Sequence, residues 1–251
     1  MASSENRVVF RDDPVNGPNH LKEAGKPIGH QNRYLAVGNY ETIDDVFNNA
    51  QTGSINSVAP GQVVPGDFIY IDFDSNGILN GQDKVAVDEL NYPLHTYGLN
   101  LGFDWKGLSF SAMFYAPTGV YKLVNSVYSA SFKSGKINAQ PDVMNAWTPE
   151  TANTSGVRAP ALHLTNDGAF NGTESTYRYQ NFSYLRLKTM ELGYNLPKKW
   201  LKTVGLKSLQ VYVTGNNLLT WWGGDDRIDP EGEQAKYPIL RSFTSGVRVS
   251  F

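Results

Sequence analysis

The residues best placed for chemistry form one acidic stretch, Asp72-Phe73-Asp74-Ser75-Asn76-Gly77-Ile78-Leu79-Asn80-Gly81-Gln82-Asp83. Its spacing fits the twelve-residue calcium loop, except that Asp takes the place of Glu at the closing position. A hard cation takes oxygen ligands, and this stretch offers them at alternate residues. Asp72, Asp74 and Asn76 would give side-chain oxygens and Ile78 its backbone carbonyl, while Asn80 stands where ligation often runs through water. Gly77 permits the sharp turn. Asp83 would close the site, but its side chain is one carbon shorter than Glu. The plainer alternative is a Gly/Asn/Asp surface turn without metal. The expectation is a structural Ca2+ held by Asp72, Asp74, Asn76, Ile78 and Asp83, pinning a long surface loop. Phe68–Ile71 reads as a strand, so the stretch is not part of a helix–loop–helix sensor.

Other chemistry is sparse. His20, His30, His95 and His163 are scattered, with no pair at zinc-ligand spacing. The absence of Cys excludes disulfides, thiolate metal sites and cysteine nucleophiles. Neither a G-x-S-x-G elbow nor a phosphate-binding P-loop occurs. Carboxylates crowd Asp225–Glu233, where a solvated acidic loop is a better reading than a glycosidase pair. Trp147, Trp221, Trp222, Tyr177 and Tyr179 could stack on sugar rings. For Trp221 and Trp222 membrane-interface anchoring or packing is the favoured role. No catalytic residues are assigned, and the chain is not expected to be an enzyme.

The elements that must carry these residues are strands. Hydrophobic residues make up 40% of the 251 residues and charged residues 18%, both below the usual globular share. Aromatics fill the gap with 5 Trp, 14 Tyr and 12 Phe, beside 24 Gly and 13 Pro, which suits an all-β chain with many turns. A net charge of −2 without a dominant Lys/Arg cluster argues against a nucleic-acid partner. No apolar run is long enough for a transmembrane helix, and the start lacks the pattern of a signal peptide.

The chain divides by texture into 1–60, 61–95 and 96–251. The first part is polar, with strand-like pieces at Val8–Arg11 and Arg33–Val37 and a helical turn at Ile43–Asn49 capped by Thr42. In the third part, Tyr97, Leu99, Leu101, Phe103 and Trp105 alternate strictly with polar or small residues. Lys106-Gly107 is then a two-residue hairpin turn, followed by Leu108, Phe110, Ala112 and Phe114 on one parity. Strands resume over Phe182–Asn195, where the parity slips and requires a β-bulge near Lys188-Thr189. Two more strands follow, SLQVYVTGNNLLTWW and SFTSGVRVSF. The connections 117–181 and 223–241 are long, whereas those after Trp105 and Asn195 are shorter.

Two architectures fit this alternation. In a soluble, calcium-stabilised extracellular β-sandwich that binds carbohydrate, the apolar parity faces a core. In an outer-membrane barrel it faces lipid, and the polar parity faces a wet lumen. Strands of about ten residues, alternating short turns and long loops, and aromatics near strand ends favour the barrel.

Longer motifs sharpen the choice. GKPIG (Gly25–Gly29) precedes PGDFIYIDFDSNGILNGQD (Pro65–Asp83). YPLHTYGLNLGFDWKGLSFSAMF, NFSYLRLKTMELGYNLPKKWLKTVGLKSLQVYVTGNNLLTW and the final YPILRSFTSGVRVSF follow. This order, from about Gly25 to Phe251, resembles the C-terminal part of SusC/RagA-type TonB-dependent outer-membrane transporters of the Bacteroidota. In that family the acidic loop commonly reads D-x-N-x-D-G-x-I and the strand motif S-F-L-R-L-K-N-L-T-L-G-Y. This chain has Tyr184 for the Phe and Thr189-Met190-Glu191 for N-L-T. The resemblance implies an antiparallel meander forming part of a 22-stranded barrel in the outer membrane of a Gram-negative cell. It implies long extracellular loops, a SusD-like lipoprotein partner, energy from TonB, and import of glycans or peptides. The family's plug and TonB box are not found among these residues, and five or six strands are a fraction of 22. The expectation is therefore a C-terminal portion: a fragment, a truncated gene product or one piece of a split barrel.

Overall fold

The computed structural model describes residues 1–15, 17–48, 63–124, 141–152, 159–162, 171–202, 205–232, 234 and 236–251. Their strands are β1 (Ala2–Ser3), β2 (Gln31–Arg33), β3 (Ala36–Asn39), β4 (Phe68–Tyr70), β5 (Val85–Val87) and β6 (His95–Trp105). They continue with β7 (Leu108–Thr118), β8 (Tyr121–Leu123), β9 (Tyr179–Asn181), β10 (Tyr184–Asn195), β11 (Ser208–Trp222) and β12 (Ser242–Ser250). Helix is confined to single turns and the short α1 (Ile43–Asn48) and α2 (Lys198–Leu201). No helix among the described residues is long and apolar enough to cross a membrane.

The chain separates into two compact units. One comprises Met1–Glu5, Asn91–Tyr121 and Asn181–Phe251; the other comprises Asn6–Leu90 and Lys122–Gln180. Each is discontinuous in sequence, whereas the division by texture into 1–60, 61–95 and 96–251 is contiguous. The reason is topological: an antiparallel meander returns the chain to the same end after every second strand, so its long connections collect together.

The first unit is a six-stranded antiparallel sheet in the order β1-β6-β7-β10-β11-β12. Strands of period two place alternate residues on opposite faces. Leu99, Leu101, Phe103 and Trp105 pair with Phe114, Ala112, Phe110 and Leu108. Ala112, Phe110 and Leu108 pair onward with Met190, Leu192 and Tyr194. Leu192 and Tyr194 meet Val213 and Val211, which meet Ser245 and Val247. One face is thus a continuous apolar surface. Its β6 row, Tyr97 to Trp105, is 41–63% exposed. A soluble sandwich would have buried these side chains against a second sheet, and that alternative is set aside.

The opposite face is mostly small or polar, with Met113, Tyr115, Tyr184, Tyr212 and Trp222 as its large side chains. Glu191 accepts hydrogen bonds from Arg248 Nη1 and from the Thr214 hydroxyl, both at 2.9 Å. The Arg248 guanidinium lies 4.1 Å from the centre of the Tyr212 ring. The expected bulge occurs: register shifts between Leu187 and Thr189 against both β7 and β11, and Lys188 has no partner in either ladder. At the β6–β7 turn Lys106 and Gly107 have φ of 47° and 91°, both positive, as a primed two-residue turn requires.

The second unit contains the antiparallel pairs β2–β5 and β3–β4. Its core is Tyr34, Phe68, Tyr70 and Leu79, with Ala36 and Val63 packed against it. Val8–Arg11 is not a strand; it is held instead by Val8 N–H donating to the Lys26 carbonyl and Gly25 N–H to the Val8 carbonyl. The expected Arg33–Val37 strand is interrupted, since β2 ends at Arg33 and β3 starts at Ala36. Helix α1 starts as expected: the Thr42 hydroxyl accepts the Asp45 N–H at 3.1 Å, and the Asp45 carboxylate accepts the Thr42 N–H at 2.9 Å.

Candidate functional site

The acidic stretch joins β4 to β5 through a single 3-10 turn at Gly81–Asp83. Two side chains root it. Leu79 is 2% exposed among Tyr34, Phe68 and Tyr70, and Asp83 is 1% exposed. Asp83 organises the backbone around it: one carboxylate oxygen accepts the Phe73 N–H at 2.9 Å and the other the Asn80 N–H at 2.7 Å. Asn80 answers as the cap of the 3-10 turn, its side-chain oxygen accepting the Gln82 N–H at 2.8 Å.

The exposed end folds on itself in the same way. Asp72 accepts the Gly77 N–H at 2.7 Å, Asp74 accepts the Asn76 N–H at 3.1 Å, and Asn76 accepts the Ile78 N–H at 2.7 Å. Gly77 has φ of 80° with open space around its Cα, so backbone freedom rather than room selects glycine there. Desolvation pushes the Asp72 carboxyl up, but N–H donation from Gly77 and Asn76 outweighs it and holds the carboxyl below the ordinary carboxylate range.

Of the expected ligands, Asp72, Asp74 and Asp83 come together, with one carboxylate oxygen from each lying within 4.8 Å of the others. That spacing suits one cation at ordinary Ca–O lengths of about 2.3–2.6 Å. Asn76 belongs to the same ring of hydrogen bonds, its amide donating to Asp74 at 2.9 Å. The Ile78 carbonyl accepts the Asn80 amide at 3.1 Å, so ligation through Ile78 would share that oxygen.

A second charged constellation lies on the polar face of the six-stranded sheet, and the sequence did not single it out. Arg186 on β10 is almost fully buried and donates to Asp229 at 2.7 Å and to Glu231 at 2.9 Å. Lys188 pairs with the other oxygen of Glu231. Asp229 also accepts the Glu231 N–H at 2.9 Å and the Gly232 N–H at 3.2 Å. Desolvation raises the Asp229 carboxyl, yet the Arg186 and Glu231 donors bring it below its ordinary value. Asp229 and Glu231 are therefore ion-paired, which corrects the solvated acidic loop; Glu233 lies outside the described residues. The signal available was Arg186 and Lys188 on the parity opposite Leu185 and Leu187.

All the candidate aromatics but Trp221 are engaged by the protein itself. Trp147 is buried. Tyr177 packs at a tilt against Phe68 with ring centres 4.3 Å apart, and the Arg33 guanidinium covers Tyr179 at 3.0 Å from the ring centre. Trp221 is exposed on the apolar face, while Trp222, on the other face, packs 5.1 Å from Phe182. His20, His30 and His95 bond to Gln82, Pro27 and Ser3 respectively; His163 lies outside the described residues.

No family model matches the chain. Two curated proteins of Formosa agariphila are similar to it. TonB-dependent receptor P3 is 30% identical over 206 residues, 76% of this chain and 20% of that protein. TonB-dependent receptor P26 is 31% identical over 210 residues, 75% of this chain and 20% of that protein. Among solved structures, the RagAB peptide transporter superposes with a TM-score of 0.62 at 24% identity, over 93% of this chain and 24% of that one. The RagAB peptide importer in its open-open state gives 0.63 at 23% identity, over 91% of this chain and 23% of that one. By sequence three quarters of the chain correspond to part of a TonB-dependent receptor, and its fold is that of part of the RagAB transporter. It spans about a fifth of the length of the curated relatives it matches.

The six-stranded sheet has the fold of a section of transporter barrel wall. In outer-membrane barrels in general the apolar face of such a wall meets lipid and the polar face the lumen. Arg186 and Lys188 fasten the acidic segment after β11 to the polar face of the sheet. The relatives are named as receptors, transporters and importers rather than enzymes.

Proposed function

We propose that the chain supplies C-terminal barrel wall to a TonB-dependent outer-membrane importer that works with a SusD-like lipoprotein and takes up glycans or peptides. The observation that carries this reading is the continuous exposed apolar face, backed by a polar face carrying buried ion pairs. The RagAB structures are named for a peptide transporter and importer, which supports peptides as one cargo class. On this reading the long connections face outward and the short turns face the periplasm. The test is fractionation of the full-length protein. It should sediment with outer membranes, require detergent for extraction and migrate differently when heated. A monodisperse species in detergent-free buffer would sink the proposal.

The same reading gives the acidic stretch a structural Ca2+ held by Asp72, Asp74, Asn76 and Asp83, with the Ile78 carbonyl as a fifth oxygen. Support comes from the convergence of three carboxylates and from the burial of one of them, Asp83. Binding to the folded state alone stabilises it by about 2.7 kcal/mol at a hundredfold excess over Kd. EDTA should therefore lower the melting temperature, and Asp74→Ala should reproduce the shift and abolish the response to EDTA. A melting curve indifferent to EDTA would remove the ion.

A further inference from the structure

The turns at the short-connection end of the six-stranded sheet carry charge of one sign, Asp104 on the polar parity of β6 being the nearest acid in sequence. Lys106 occupies the β6–β7 turn, and Lys198, Lys199, Lys202 and Lys207 lie in the link between β10 and β11. All five are exposed, and residues 106–107 and 196–207 contain no Asp or Glu. Among the described residues none of the five makes an ion pair.

Backbone bonds hold these turns side by side. Asn195 N–H donates to the Gly107 carbonyl at 2.7 Å, Leu196 N–H to Leu209 at 2.9 Å, and Lys207 N–H to Ser250 at 2.9 Å. Leu201 is buried and fixes α2, leaving Trp200 exposed. The rim also exposes Trp105, Tyr194 and Phe251, at the ends of the apolar rows. The Lys106 ammonium lies 5.0 Å from the centre of the Trp105 ring.

Five like charges on one rim repel one another unless an anion lies against them. The aromatics narrow the choice of anion. Trp and Tyr favour the boundary between hydrocarbon and water, and lysines there reach outward to phosphate. An acidic protein docked on the lysines would leave the adjoining apolar rows uncovered, whereas a lipid covers both. We propose that this rim binds the phosphate headgroups of anionic phospholipids in the leaflet on the short-turn side. The proposal rests on the barrel-wall reading above.

The test is native mass spectrometry of the full-length protein reconstituted into nanodiscs of equimolar phosphatidylglycerol and phosphatidylethanolamine. Each lysine near an anionic surface contributes about a fivefold preference, so retained lipid should favour phosphatidylglycerol by at least about fivefold. The variant K106Q/K198Q/K199Q/K202Q/K207Q should bring the ratio close to one, and the corresponding five-arginine variant should keep it. Equal retention of the two lipids, or a preference that survives the glutamine variant, would overturn the proposal. So would a rim that captures a polyglutamate peptide with no lipid preference. Protein that enters nanodiscs without selecting lipid sinks this inference alone. Protein that never enters them sinks the barrel-wall reading as well.

Discussion

Leu101 in β6 keeps 48% of its surface exposed, whereas Leu79 in the acidic stretch keeps 2% among Tyr34, Phe68 and Tyr70. The residue type is the same and the environments are opposite. In the second unit apolar side chains leave water by packing on one another, as in any soluble domain. In the first unit they stay exposed as one apolar surface, which the proposed barrel wall would turn to hydrocarbon. Charge is inverted too: Arg186 and its carboxylate partners lie on the side of the sheet facing away from the apolar rows. What the contrast teaches is that burial has to be judged against the solvent each face meets.

Four substitutions and one condition would break or sharpen it. Leu79→Ala should cost the second unit about 2–5 kcal/mol, the usual loss for a buried leucine. Amide exchange at Phe68–Tyr70 would report it, and unchanged protection would mean that this core does not hold the acidic stretch. Leu101→Arg should cost the reconstituted protein about 2–4 kcal/mol against denaturant. Asn100→Arg, one residue away on the other face, should stay within about 0.5 kcal/mol. Equal penalties at the two positions would erase the distinction between faces.

Arg186→Leu should cost about 2 kcal/mol. That is below the 3–5 kcal/mol of a fully buried pair, because Asp229 and Glu231 keep some contact with water. Protease nicking of residues 223–232 should rise accordingly. The smallest effect is that of acid. The Asp229 carboxyl sits below its ordinary value of 3.8, so its contribution is complete above that pH and is lost as pH falls through the lower, folded value. Nicking should therefore be flat from pH 7 to about pH 5 and rise only in stronger acid. A rise near pH 6 would assign the loop's hold to some other group.

Much of the sheet was legible because alternation is a local signal. The bounds of β11 match the alternating segment, and the parity slip in Phe182–Asn195 located the bulge. The Thr42 cap was legible for the same reason. The contacts that need distant partners were not. Ala2 pairs with Thr96 across most of a hundred residues, and nothing local announces it. Parity assigned Arg186 to the polar face without naming Asp229 and Glu231 as its partners. The acidic stretch was legible as a motif because its hydrogen bonds run between near neighbours, but the Asn80 amide on the Ile78 carbonyl was not. The division into units was hidden because each combines segments far apart in the chain.

The irregularity at Lys188 has a reach well beyond its own residue. Above it even-numbered positions such as Arg186 face away from the fatty side; below it even-numbered Met190, Leu192 and Tyr194 face toward it. A single extra residue thus lets one reading frame serve both media. Excising it would turn half the strand inside out, driving either a guanidinium into oil or three greasy groups into the channel. Insertions and deletions at this point should accordingly be far less tolerable than substitutions.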